Sequence, residues 1–184
     1  MPSREHNDTN HCLAEYLTLA DGLGGRYTES MKPEIRKAKQ SDALALSSLA
    51  LRSKAHWPYD ADFLRDCAAE LKVSGARAAS GLLFVGDING EIFGFYGFEC
   101  DEKEPEMTHL FVHPEFIGRG FGKVLWHHAI DFAKSKGCAS FQIVADPYAS
   151  ENFYLPMGAR HVGDVDSSVR PGRKLPLLKF DCPR

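Results

Sequence analysis

The sequence predicts an α/β protein of the α+β kind: a mixed, mostly antiparallel central sheet of about seven strands flanked by about four helices. Three observations carry this. The dipeptide Asn89-Gly90 separates two strand-like runs and suits the positive φ of a tight primed hairpin turn. A third strand-like run follows after a short acidic loop, which completes an antiparallel meander. Apolar residues recur at helical spacing both before and after that meander.

The elements follow in order. Residues 34–38 read as the opening strand, and Ser41-Asp42 supplies the start of a helix over 43–51. A second helix, from Tyr59 or Asp60 to Lys72, places Phe63, Cys67 and Leu71 on one face. Gly75 and Gly81 bracket a loop. Strands over 82–88 and 91–100 form the hairpin, and 106–112 pairs next after the acidic loop Asp101-Glu102-Lys103-Glu104-Pro105. A helix over 121–136 gathers Val124, Leu125, His128, Ala129, Phe132 and Ala133 into one stripe, and Gly137 ends it. Residues 140–145 form a strand, Asp146-Pro147 a turn, 149–156 a short helix, and 160–165 and 175–180 the last two strands.

At 184 residues with 43% hydrophobic and 26% charged side chains, the chain suits one globular domain and excludes a disordered, collagen-like or coiled-coil protein. The domain spans 31–184. Residues 1–30 read as a polar N-terminal arm, with Leu13, Tyr16, Leu17 and Ala20 spaced for a short docked helix or a dimer arm as the alternative to a frayed, disordered start. A net charge of −3 leaves no chain-wide footprint for nucleic acid or an anionic membrane. No segment approaches the roughly 20 apolar residues of a membrane span. The five cysteines (Cys12, Cys67, Cys100, Cys138 and Cys182) are odd in number and scattered, and the histidines include no H-E-x-x-H pair. Neither a disulfide framework nor a metal is expected, and the expected location is cytoplasmic.

The segment richest in chemistry runs from Leu110 to Lys123, with Gly118, Gly120 and Gly122 just before a helix. Alternating glycines let backbone N–H groups converge, and the helix start adds unpaired N–H groups and the positive end of its dipole. Arg119 and Lys123 add charge, so the turn suits a diphosphate, although a tight strand-to-helix connection explains the glycines alone equally well. A P-loop is excluded because Ile117 replaces its first glycine and Val124 its hydroxyl residue. A Rossmann-type dinucleotide site fits poorly, since the glycines lie far from the strand and have the wrong spacing, with Asp146 as the only candidate ribose acid.

The run Leu110-Phe111-Val112-His113-Pro114, followed by Gly120-Phe121-Gly122, resembles motif A of the GNAT N-acetyltransferase superfamily, and Asn152-Phe153-Tyr154 through Gly158-Ala159 resembles its motif B. Ile117 departs from the usual Gln or Arg, and Ala159 from the usual aromatic. The resemblance covers roughly residues 33–165. It implies a GNAT fold whose splayed parallel strands hold acetyl-CoA, and direct acetyl transfer to a primary amine of an unidentified small-molecule, peptide or protein acceptor. The cofactor contacts it implies are Leu110, Phe111 and Val112, then Gly118, Arg119, Gly120, Phe121, Gly122 and Lys123, with Asn152. The amides of Leu110 and Val112 would hold the pantetheine arm and the carbonyl oxygen.

In the same resemblance Tyr154 is the general acid that protonates the departing thiolate, set against a purely packing role beside Phe153. Glu106 and His109 are the candidate bases, but alternation puts Glu106 with Thr108 and Leu110 on one face and His109 on the other, so both enter the site only if the strand bulges. A structural histidine and a solvated carboxylate are the competing readings. Trp57 and Tyr59, with Asp60, frame an acceptor ammonium or else simply pack the corner between the first two helices. Two alternatives stay open for the function as a whole, a non-catalytic CoA-binding regulatory module and the Rossmann-type protein. A homodimer is open too.

Overall fold

The computed structural model describes residues 33–100 and 105–183. The N-terminal arm and most of the acidic loop lie outside the described residues. Strand β1 (Glu34–Lys37) leads through a 3-10 turn into α1 (Ala43–Lys54), α2 (Ala61–Glu70) and the single-turn α3 (Gly75–Ala78). The meander β2 (Leu83–Ile88), β3 (Glu91–Cys100) and β4 (Pro105–Val112) precedes α4 (Phe121–Ser135) and β5 (Ser140–Val144). Next come α5 (Pro147–Ala149), a π turn over Ser150–Tyr154, β6 (Arg160–Asp166) and β7 (Lys174–Asp181).

All seven strands form one sheet in the order β1-β2-β3-β4-β5-β7-β6. Every neighbouring pair is antiparallel except β4 and β5, which run parallel. That topology removes the Rossmann-type alternative, which needs a largely parallel sheet. Among the described residues no helix is long and apolar enough to cross a membrane.

Alternation along the strands divides the core between two faces. Tyr96, Phe98, Met107 and Val112 pack under α4 with Leu125, Trp126 and Ala129, while Val85 and Phe95 pack on the other face with Leu46, Leu49 and Ala50 of α1. Burying each of the Val, Leu, Phe and Met side chains among these contributes about 1.5–3 kcal/mol. The α4 stripe is wider than the sequence spacing indicated. Trp126 also faces inward, 4.9 Å from the ring of Phe180, because α4 meets β7 and the π turn as well as the sheet centre. His128 sits in that stripe with its Nδ1 2.6 Å from the Tyr96 hydroxyl, a polar pair placed inside an apolar layer.

Two elements differ from the sequence reading. The loop expected between Gly75 and Gly81 holds the helical turn α3, which starts where the Ser74 side chain accepts from the Arg77 N–H at 3.1 Å. The short helix expected over 149–156 begins earlier, because the Asp146 carboxylate caps it by accepting from the Tyr148 N–H at 3.0 Å, and it widens into the π turn.

A third difference concerns side-chain direction. Gly97 of β3 stands opposite His109 of β4, yet Phe98 stands opposite Met107, so Thr108 is an extra residue, a β-bulge. The bulge resets the alternation. Met107 turns under α4, and Glu106, directly opposite Glu99, comes to the same face as His109. The expected separation of Glu106 from His109 is therefore corrected.

Candidate active site

Strands β4 and β5 pair only at Glu106 with Gln142. Beyond that point they part. The His113 N–H donates to the Phe93 carbonyl at 2.8 Å, so alternation turns the Phe111 N–H toward β3 as well and leaves the N–H groups of Leu110 and Val112 facing the gap. The side chain of Phe111 lies on the α1 face, 5.5 Å from the Phe95 ring. Its place is therefore in packing, and only its neighbours present backbone donors to the gap.

The glycine turn closes the open end of the gap. Gly118 and Gly120 have φ of 78° and 89°, left-handed values that L side chains rarely adopt, and Gly120 is the N-cap of α4. Nothing lies within 4 Å of a β-carbon built at Gly118, so the cradle is open on that side. A β-carbon at Gly122 would stand 3.1 Å from Phe153, so the two sequence motifs meet there face to face. Arg119 and Lys123 are exposed beside the turn. The Ile117 N–H donates to the Pro114 carbonyl at 3.3 Å, which engages the donor at the position where the sequence departs from its motif.

Tyr154 is 5% exposed, with its ring 5.7 Å from Trp126 and 5.3 Å from Phe153. Burial, joined by the charge of Asp146, pushes its phenol above the ordinary value, so it holds its proton at neutral pH. It lies with the α4-side core, across the sheet from His109 and Glu106. Asn152 is exposed, and its amide donates to the Tyr148 carbonyl at 2.8 Å.

On the α1 face, the Thr108 hydroxyl lies 2.7 Å from His109 Nδ1 and 3.0 Å from the Arg77 guanidinium. Burial lowers the His109 pKa to about 4, with the charge of Arg77 adding to the effect, so the ring is neutral at physiological pH.

The corner between α1 and α2 is filled by its own residues. Trp57 stacks on Tyr148 at 5.4 Å and 6°. The Tyr59 hydroxyl donates to Asp146 at 2.8 Å and receives a hydrogen bond from Arg173 at 2.9 Å. Lys54 Nζ reaches the same carboxylate at 2.5 Å. The Asp60 carboxylate caps α2 by accepting from the Phe63 N–H at 2.7 Å. Lys54, Asp146 and Arg173 escaped the sequence reading as a group, since they lie far apart in the chain. Asp146-Pro147 was the one local signal, as an N-cap followed by proline at N1.

The site is thus a parallel strand pair open at one end, with a glycine turn into a helix beyond it. The description of the Acetyltransferase (GNAT) family matches residues 46–159. The structure is similar to PaiA N-acetyltransferase from Thermoplasma acidophilum, solved in complex with coenzyme A, with a TM-score of 0.68 at 20% identity over 82% of this chain and 99% of that one. It is also similar to a GCN5-related N-acetyltransferase from Rhodopseudomonas palustris, with a TM-score of 0.70 at 18% identity over 86% of this chain and 99% of that one. A stretch of 61 residues is 39% identical to an uncharacterized N-acetyltransferase of Methanocaldococcus jannaschii, spanning 29% of this chain and 27% of that protein. The chain belongs to the Acetyltransferase (GNAT) family, and so to the acyltransferases.

Proposed function

We propose that the protein transfers the acetyl group of acetyl-CoA directly to a primary amine of a small molecule, peptide or protein. The observation that carries the reading is the β4–β5 gap, lined by the Leu110 and Val112 amides and ending at the open cradle of Gly118, Gly120 and Gly122. These residues fit an extended thioester with a diphosphate at one end. Bound acetyl-CoA supplies the activated acyl carbon. The turn's N–H groups, with Arg119 and Lys123, bind the diphosphate. The Leu110 and Val112 amides hold the pantetheine arm and polarise the carbonyl.

The two faces of the sheet then divide the proton work. Glu106 and His109 share the α1 face, where the bulge brings them together, and the acceptor amine approaches there with Glu106 taking its proton. Tyr154, protonated and buried on the α4 side, gives a proton to the departing thiolate. Trp57 and Tyr59 border the acceptor entrance, with Tyr59 acting through the Asp146 network and not as a free ring. A cytoplasmic working place suits a sequence whose five scattered cysteines suggest no disulfide framework.

A second reading, a CoA-binding regulatory module without chemistry, draws on the Ile117 N–H, which is engaged by Pro114 instead of facing the cradle. A panel of amines, scored for thiol release from acetyl-CoA, separates the two. Amine-dependent release supports the transferase, and tight CoA binding with no release across the panel supports the module.

A further inference from the structure

The β4 bulge is pinned by a side chain that no motif includes. Arg77, on the single turn α3, donates through Nη2 to the Phe98 carbonyl at 2.7 Å and to Thr108 Oγ1 at 3.0 Å. These acceptors flank the register shift, one on each strand. Gly97 leaves space for Leu83 beside this contact: a β-carbon there would stand 2.6 Å from the Leu83 side chain, and 3.5 Å, an ordinary contact, from Arg77 Nη2. The guanidinium is committed enough to this contact that its Nε is buried without a partner.

Hydrogen-bond polarity runs one way along this chain. Arginine only donates, so Thr108 Oγ1 accepts from Arg77. The single hydroxyl proton of Thr108 then has two acceptors in reach, His109 Nδ1 at 2.7 Å and the Gly97 carbonyl at 3.4 Å. Thr108 could accept from an Nδ1 proton only by sending its own to the 3.4 Å contact, so donation to Nδ1 gives the stronger set of bonds. Nδ1 is then an acceptor, and a neutral imidazole carries its proton on the other nitrogen.

We infer that Arg77 and Thr108 are positioning residues that hold His109 as a neutral imidazole with its proton on Nε2, a hydrogen-bond donor on the acceptor face and not a base. The role as donor to the acceptor rests on the acetyl-transfer reading; the tautomer does not. Around the bulge, Arg77 comes from α3 and Glu99 from β3, 3.9 Å apart, and Glu106 of β4 stands opposite Glu99. The rings of Phe95 and Phe111 flank the imidazole at 5.7 and 6.2 Å. Their apolar cover and the neighbouring cation both oppose a charged ring. With His109 so held, Glu106 keeps the role of base that the acetyl-transfer reading gives it on this face.

Long-range proton–nitrogen spectra of the full chain, labelled with ¹⁵N at histidine, test the assignment directly. The His109→Gln spectrum identifies the His109 signals. The expected result is an unprotonated Nδ1 and a protonated Nε2 at neutral pH, loss of that tautomer preference in Thr108→Val, and its return in Thr108→Ser. Arg77→Met should raise the titration midpoint of the ring. A protonated Nδ1 in the unmodified protein overturns the inference, and that spectrum decides the tautomer even where a variant does not fold. Kinetics add a second arm at neutral pH. His109→Gln, which keeps a donor but cannot titrate, should retain kcat/KM several-fold better than His109→Phe, whereas equal losses contradict the donor role. Because the spectrum needs no substrate, a protein that transfers no acetyl group yet shows this tautomer overturns the acetyl-transfer reading alone. An active enzyme with the proton on Nδ1 overturns this inference alone.

Discussion

Lys54 Nζ lies 2.5 Å from the Asp146 carboxylate and so ties the C-terminal end of α1 to the turn that follows β5. The same carboxylate accepts from Tyr59 and caps α5, with Arg173 3.6 Å away, so one anion organises four segments of chain around the mouth of the β4–β5 gap. Both partners of the pair are largely withdrawn from solvent, at 13% and 14% side-chain exposure. Removing one member of such a pair leaves a poorly solvated charge, which costs about 3–5 kcal/mol. Asp146→Ala strips two cations of their partner and also removes a cap. Urea unfolding should therefore show a loss of about 3 kcal/mol or more, against a clearly smaller loss for Lys54→Met, which leaves Asp146 its other partners. Equal losses for the two variants would show that the carboxylate is not the organising group.

Stability should depend on pH through His109. Its pKa is lowered from 6.5 to about 4 in the folded chain, so between those values the unfolded chain binds more protons. The stabilising contribution is complete above the unfolded value and fades as pH falls toward 4, by roughly 3 kcal/mol over the window. His127 and His128 are lowered too, and act in the same direction. Urea midpoints at a series of pH values check this, and His109→Gln should flatten the slope between pH 4 and 6.5. An unchanged slope in that variant contradicts the burial of the ring.

Gly120→Ala should weaken both the fold and the cradle. At φ of 89° an added β-carbon meets the backbone itself, a strain of about 1–2 kcal/mol. Thermal unfolding should report that loss without ligand, and calorimetry should report weaker acetyl-CoA binding. A variant as stable and as tight as the parent would mean that the turn has no need of its left-handed conformation.

Tyr154→Phe removes one hydroxyl from a packed aromatic layer. If Tyr154 is the proton donor, turnover should drop on the order of 100-fold while acetyl-CoA affinity stays within about twofold. An equal loss of affinity, or no loss of turnover, assigns the residue to packing.

Much of this arrangement was legible in the chain. The Asn89-Gly90 turn, the stripe of α4 and the paired glycine and Phe-Tyr motifs are local patterns, and local patterns report local geometry. The presence and place of the β4 bulge were not, because a two-residue period carries no mark of an inserted residue, and Arg77, which bonds beside it, reaches over from another element. The Lys54–Tyr59–Asp146–Arg173 network was hidden for a related reason. Its members are brought together only by packing α1 and the β6–β7 connection against the end of β5. Aromatic residues at Trp57 and Tyr59 marked the corner correctly as a place of contact, but their partners were invisible.

Isothermal titration of the intact protein with acetyl-CoA, alongside NADH as a second diphosphate ligand, decides whether the β4–β5 gap and the glycine turn hold acetyl-CoA. One acetyl-CoA per chain should bind at micromolar concentration, with no comparable heat from NADH. An absence of acetyl-CoA binding at high micromolar concentration, with NADH bound, would contradict it.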